Sequence, residues 1–417
     1  MEQRLDHPAP GQAAGSRALS QSQDRTEPYA PSGGAVGQLA AWAVGLGLLV
    51  LGVHLFLTPH DWASLYGRDL KVYQTAMDAI AAGADPYPAA HGRGIHGLVF
   101  TSPPFVLWLF KLIAQAGLRP WFATALLAAD AISVVVIALV FSRLLLGPGL
   151  ARMALAIGFL FTAFDGSGFF TALVINNGTP LYALIALALI PAMTRDRWLA
   201  FHLAVALATA FKPFYAAFWI VPLLADGLRG GQWAASAVGL AAAAATYLAP
   251  LLLAPKLMAA WLHTLYGQTV SEGLLGDNLL GAMASGSAGR HAGPAAYEAQ
   301  AALTAVLLGL SLGLGRLDRP RRIAALVLIA VFLNPRAQRY DLSTAAIPLL
   351  ALAAGVLSRG PPGALAQALW AALLAGTMIA FSVNTPADGV LYAGLTVGVL
   401  VVAMLPSLGK GARGYAR

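Results

Sequence analysis

Long apolar runs recur from one end of this chain to the other, and they dictate its solvent. The first, Val36–Leu57, has 22 residues. At 1.5 Å per helical residue it crosses the ~30 Å hydrocarbon core of a bilayer. Further apolar stretches follow at 99–117, 121–142, 151–164, 180–193, 198–211, 213–225, 232–254, 296–315, 323–333, 342–358, 363–382 and 388–405. Backbone polar groups in lipid must be satisfied internally, and no run alternates as a barrel strand does, so the runs read as helices. Composition agrees, because only 11% of the 417 residues are charged, against roughly 25% in soluble domains. Too little polar surface remains to cover a globule in water, which excludes an ordinary soluble enzyme. Cysteine is absent, so disulfides, thiolate nucleophiles and cysteine-based metal sites are excluded too.

Charge placement sets the expected topology. Residues 1–35 are polar and rich in Gln, Ser, Pro and Gly, and read as a disordered cytoplasmic tail before an uncleaved anchor. If 99–117 spans, Arg143, Arg152, Arg195, Arg197, Arg229 and the Arg316–Arg322 cluster all fall outside. If it lies in the interface, all are cytoplasmic, as the positive-inside rule favours. Phe100, Pro103, Pro104, Trp108 and Lys111 suit a juxtamembrane helix. The expectation is an all-α polytopic membrane protein of about 12 transmembrane helices, with both termini inside. A single transmembrane domain covers 36–406, followed by a cytoplasmic tail at 407–417. External loops fall at about 58–120, 256–295 and 334–341. This topology puts 16 of the 26 Lys+Arg and seven of the 18 acids inside. The net +8 therefore reads as orientation, and nucleic acid is not an expected partner.

The first external loop concentrates carboxylates: Asp61, Asp69, Asp78 and Asp85. From Asp69 to Ala82 the spacing predicts an amphipathic helix with Leu70, Tyr73, Met77 and Ile80 on one face. Asp69 is expected at its N-cap, where Asp is favoured for structural reasons. The functional alternative is a general base at the membrane surface.

Asp69-x-x-x-Tyr73, Gly83-x-Asp85-Pro86-Tyr87 and Phe100-x-x-Pro103-Pro104-Phe105 are followed by Phe211-Lys212-Pro213, then Asn334-Pro335 and Tyr340-Asp341-Leu342. In order and spacing this set resembles glycosyltransferase family 87, formerly a domain of unknown function, over roughly residues 40–360. The resemblance implies a bundle of the GT-C architecture with juxtamembrane helices in the first external loop. It also implies an inverting enzyme that takes a hexose, usually mannose or a related sugar, from a polyprenyl-phosphate donor. Transfer to a lipid or glycan acceptor would occur outside the cytoplasmic membrane, with Asp69 in the position of the proposed base. The chain departs from the family at Asn176-Asn177-Gly178, where many relatives carry Gly-Gln-Asn. It departs again at Arg336, Gln338 and Arg339, where some carry histidine.

Other residues carry weaker expectations. Lys212, between two apolar segments, is either a donor-phosphate contact or a lysine reaching lipid headgroups. Arg336 and Arg339 sit outside against the positive-inside trend, and their planar forks suit phosphate. Asp341 could orient one of them. Tyr73, Asp85, Tyr87, Asn177, His263, Gln338 and Tyr340 are further candidates for substrate contact. Trp261 and Tyr266 read either as sugar-stacking rings or as part of the interfacial belt. Asp130 lies within the 121–142 run and reads as a paired or protonated carboxyl facing the bundle. No nucleotide-binding or metal-ligand spacing is present, so neither cofactor nor metal is expected. A transporter or flippase remains the alternative, although no internal symmetry of the kind common in transporters is visible. A lipid-binding scaffold without activity is the third reading.

Overall fold

Residues 34–57, 67–89, 100–166, 178–227, 231–272, 294–335, 337, 341–357, 364–382 and 388–405 are described in a computed structural model. Among them every regular element is helical. Among the described residues, five helices are long and apolar enough to cross a membrane. They begin at Ala35 (α1, Ala35–Leu57), Arg119 (α4, Arg119–Phe141), Gln232 (α9, Gln232–Leu253), Pro294 (α11, Pro294–Gly313) and Ala364 (α14, Ala364–Ser382). Only 22–39% of each apolar window is buried. The long helices are thus peripheral, and residues such as Leu39, Val50, Leu252 and Leu312 face outward.

The remaining apolar runs form shorter helices: α5 (Leu150–Thr162), α6 (Thr179–Arg195), α7 (Leu199–Phe211), α8 (Ile220–Ala225), α12 (Arg319–Phe332), α13 (Leu342–Leu357) and α15 (Asp388–Met404). Twelve residues of α3 (Pro104–Gln115) fill the 99–117 run. At ~18 Å that helix falls short of the hydrocarbon thickness. The 213–225 run is not one helix. A 3₁₀ segment, Pro213–Trp219, precedes α8.

In α12 and α13 shortness is tolerated because protein covers them. Every residue of α12 from Ile323 to Phe332 is buried, as is every residue of α13 from Leu342 to Gly355. The two pack on each other at the centre of the bundle. Asp318 caps α12 by accepting from the Arg321 amide at 3.0 Å, and Pro320 occupies its first turn.

Lipid supplies no hydrophobic drive between helices, so close backbone approach must. α1 and α5 pack extensively through glycine. A Cβ on Gly45 would fall 2.7 Å from the Ala154 carbonyl, and one on Gly52 would fall 2.5 Å from that of Phe161.

The long loop after α1 builds a second core of its own. Gly67, in the left-handed region at φ 64°, starts α2 (Arg68–Ala81), and Gly83 at φ 70° ends it. Asp69 therefore falls in the first helical turn and not at the N-cap that the sequence predicts. It still favours the positive helix end. The apolar face of α2, with Val72, Ala76 and Met77, packs with Tyr87, Phe100, Leu107 and Phe110 against Met258 and Trp261 of α10 (Pro255–Glu272). The loop helices and α10 are thus one packed unit.

Candidate functional site

Helix directions define two ends of the bundle. α6 runs from Gly178 to Arg195, and α7 returns from Trp198 to Lys212. Gly178 and Lys212 therefore share one end, and Asp196 and Trp198 share the other. α12 runs from the second end toward Asn334, so Asn334 belongs with Lys212, as does Asp341. The Tyr182 hydroxyl donates to Asp341 Oδ1 at 2.9 Å across 159 positions of sequence.

The loop unit sits on the Lys212 end. Phe211, the last residue of α7, packs into the loop core. The Trp261 indole donates to the Thr101 carbonyl at 2.9 Å, and the Tyr247 hydroxyl donates to that of Thr209 at 2.5 Å. Trp261 is buried, so it neither stacks on a ligand nor sits in an interfacial belt. His263, two residues on, is exposed and points away from that core, as does Tyr266.

Tyr73 links the loop to the bundle. Its ring is edge-on to Phe100 at 6.3 Å and to Phe110 at 5.7 Å, and Phe110 in turn meets Phe122 of α4 at 5.5 Å. Burial pushes the Tyr73 phenol well above the usual tyrosine value, and the charges of Asp69 and Asp130 push it further. Two carboxylates thus lie within electrostatic range of one phenol. Asp69 is half-buried, and Asp130 on α4 is wholly buried. The sequence placed Asp130 as a bundle-facing carboxyl apart from the loop. Its proximity to Tyr73 depends on how α2 docks, which no local pattern encodes.

Lys212 follows Phe211, which packs against the same loop core. Its Nζ lies 5.9 Å from the centroid of Phe214, a weak cation–π contact. Phe214 stacks on Tyr215 at 4.8 Å, and the Tyr215 hydroxyl donates to the Gly178 carbonyl at 3.1 Å. Tyr215 meets Tyr182 edge-on at 4.8 Å, which continues the chain of contacts to Asp341. Neither tyrosine nor Gly178 was singled out as a ligand-end residue in the sequence. Asp341 is buried against Tyr182, so its described partner is a phenol.

Two predicted contacts take structural places instead. Tyr87 is wholly buried, and its hydroxyl donates to the Ser102 carbonyl at 3.1 Å. Asp85 is exposed and accepts from the Tyr87 amide at 3.0 Å, capping the short turn that follows. Buried apolar neighbours leave the Tyr87 ring no ligand-facing surface. Asn177, Arg336, Gln338, Arg339 and Tyr340 lie outside the described residues. Among the described residues no group of three or more His, Asp or Glu could hold a metal ion.

No family model, curated protein or solved structure matches this chain. Geometry and chemistry therefore carry the functional argument.

Proposed function

We propose that the chain is a membrane glycosyltransferase of the GT-C type that uses a polyprenyl-phosphate sugar, a hexose such as mannose. The acceptor is a lipid or glycan hydroxyl at the extracytoplasmic face. The observation that carries the reading is that Asp69 and Asp130 lie within electrostatic range of Tyr73, in a loop core against which Phe211, next to Lys212, packs. The order of motifs that resembles family 87 supports it as well.

In this mechanism the Asp69 carboxylate takes the proton of the acceptor hydroxyl. The acceptor oxygen bonds to the anomeric carbon from the face opposite the leaving group. The bond from that carbon to the phosphate oxygen breaks, and polyprenyl phosphate departs with the electron pair. Inversion follows from the single displacement. Lys212 stabilises the charge that develops on the phosphate, with Arg336 or Arg339 as its partner. Tyr73, kept protonated by burial and by its two acidic neighbours, donates a hydrogen bond that fixes the carboxylate for the transfer. The energy resides in the lipid phosphate, so no nucleotide is needed. Membrane lipids surround the 12-span bundle, with both termini cytoplasmic.

Incubation of purified protein with radiolabelled polyprenyl-phosphate sugars and membrane lipid tests this reading. Release of polyprenyl phosphate with label on the acceptor supports it. Asp130, an ionisable group buried within a long apolar helix, favours a second reading as a transporter. Flux of a lipid-linked sugar in vesicles without transfer would establish that reading instead.

A further inference from the structure

The opposite end of the bundle holds a cavity of about 1020 Å³. It is bounded by the turn between α6 and α7, the end of α8 and the starts of α9 and α12. Arg197, Arg319 and Arg322 line it together with Asp196 and Asp226, so the charges of its described lining sum to a net +1.

The two acids are committed to one arginine. Arg319 forks onto Asp226, with Nε to Oδ1 at 2.9 Å and Nη2 to Oδ2 at 2.5 Å, and also reaches Asp196 at 2.7 Å. The Trp198 indole donates to the same Asp226 at 3.2 Å. Arg322 meets only neutral carbonyls, those of Ala225 at 2.7 Å and Leu317 at 3.0 Å, and its buried Nε has no hydrogen-bond partner. The guanidinium of Arg197 is exposed and forms no ion pair with the described residues. Two positive charges on this cavity are thus not neutralised by a described carboxylate.

The backbone adds to them. α7 and α9 both begin at the cavity, and neither carries an acid in its first turn. Their partial positive ends add to the arginines, while the carbonyl ends of α6 and α8 are engaged by Arg319 and Arg322. The wall also includes Leu199 and Leu223, exposed to 46% and 48%, on helices whose outward faces meet acyl chains in a membrane. A cationic recess with an apolar edge, at one end of a membrane bundle, matches an anionic phosphate carried on an acyl chain.

We infer that this cavity binds an anionic phosphate group, held by Arg197 and Arg322 while Arg319, Asp196 and Asp226 keep the frame. The site lies at the far end of the bundle from Lys212 and stands apart from the sugar-transfer reading. Native mass spectrometry of the full chain, supplied with equal phosphatidylglycerol and phosphatidylcholine, tests it. A second arm adds millimolar inorganic phosphate. Preferential retention of phosphatidylglycerol is expected, falling about five-fold for Arg197→Gln and again for Arg322→Gln. Retention unaffected by inorganic phosphate assigns the group to a lipid headgroup, and displacement assigns it to a free anion. Because Arg322→Gln removes contacts to two carbonyls and can impair folding, Arg197→Gln alone suffices for the comparison. Unchanged retention in a folded Arg197→Gln protein, or no preference for the anionic lipid together with no phosphate binding, overturns the inference.

Discussion

Gly178→Ala followed by Tyr215→Phe probes the packing that holds Lys212 in place. Gly178 has φ −65°, ψ 12°, a conformation open to alanine, so any cost arises from space. The new Cβ would lie 2.5 Å from the Tyr215 hydroxyl oxygen, about 1 Å inside ordinary contact. Tyr215 has no room to turn away, being wholly buried between Phe214 and Tyr182. Overpacking of this kind costs ~1–3 kcal/mol. Tyr215→Phe alone removes the hydrogen bond to the Gly178 carbonyl, worth ~1 kcal/mol. With the hydroxyl gone, the next neighbours of the new Cβ are Tyr215 Cζ at 3.6 Å and Lys212 Nζ at 3.7 Å, both ordinary contacts. The double variant should therefore cost little more than Tyr215→Phe alone, with a coupling of ~1–3 kcal/mol. The loss of glycine at the start of α6 is common to both alanine proteins and cancels from the cycle. Equilibrium unfolding in mixed micelles measures all four proteins. Strictly additive costs, or a neutral Gly178→Ala, would refute the reasoning.

Three further outcomes are expected. Phe110→Ala removes the ring that joins Tyr73 to Phe122 and should cost ~3–5 kcal/mol locally, read as faster proteolysis within the first loop while the bundle remains intact. Burial, with Asp69 and Asp130 beside Tyr73 and Asp85 beside Tyr87, raises both phenol pKa values. The unfolded chain releases these protons near pH 10 and the folded chain does so only at higher pH, so stability present below pH 10 is lost above it. Thermal midpoints at pH 9 and pH 11 should accordingly fall less in Tyr73→Phe than in the wild type. Asp130→Asn should lower transfer about 10²-fold or less, because it acts through Tyr73, whereas loss of a general base costs ~10²–10⁴-fold; initial rates of polyprenyl phosphate release compare the two.

Much of the class was legible in the residues. The apolar runs give the helices, and the period of Leu70, Tyr73, Met77 and Ile80 gives α2 to within a residue at each end. The 99–117 run forms one short helix, as do several of the runs read as spans, so length does not separate it from them. What escaped depends on contacts between segments. Gly67 and Asp69 are both credible helix starts, and only the left-handed backbone at Gly67 decides between them. Trp261 and Tyr87 look like ligand-facing aromatics until the loop folds over them. Asp130 and Tyr73 are 57 positions apart, and the Tyr182–Asp341 pair spans 159. No local periodicity reports such distances. The arginine cluster was legible as charge, but its division into neutralised and unneutralised members rests on where Asp196 and Asp226 fall.

The central claim is that Asp69 removes the acceptor proton, and the direct measurement is polyprenyl phosphate release by Asp69→Asn beside the wild type. Asn keeps the shape and removes the base, so the variant should fold and melt like the wild type while release falls by ~10²-fold or more. Near-normal release by a folded Asp69→Asn protein would contradict the account.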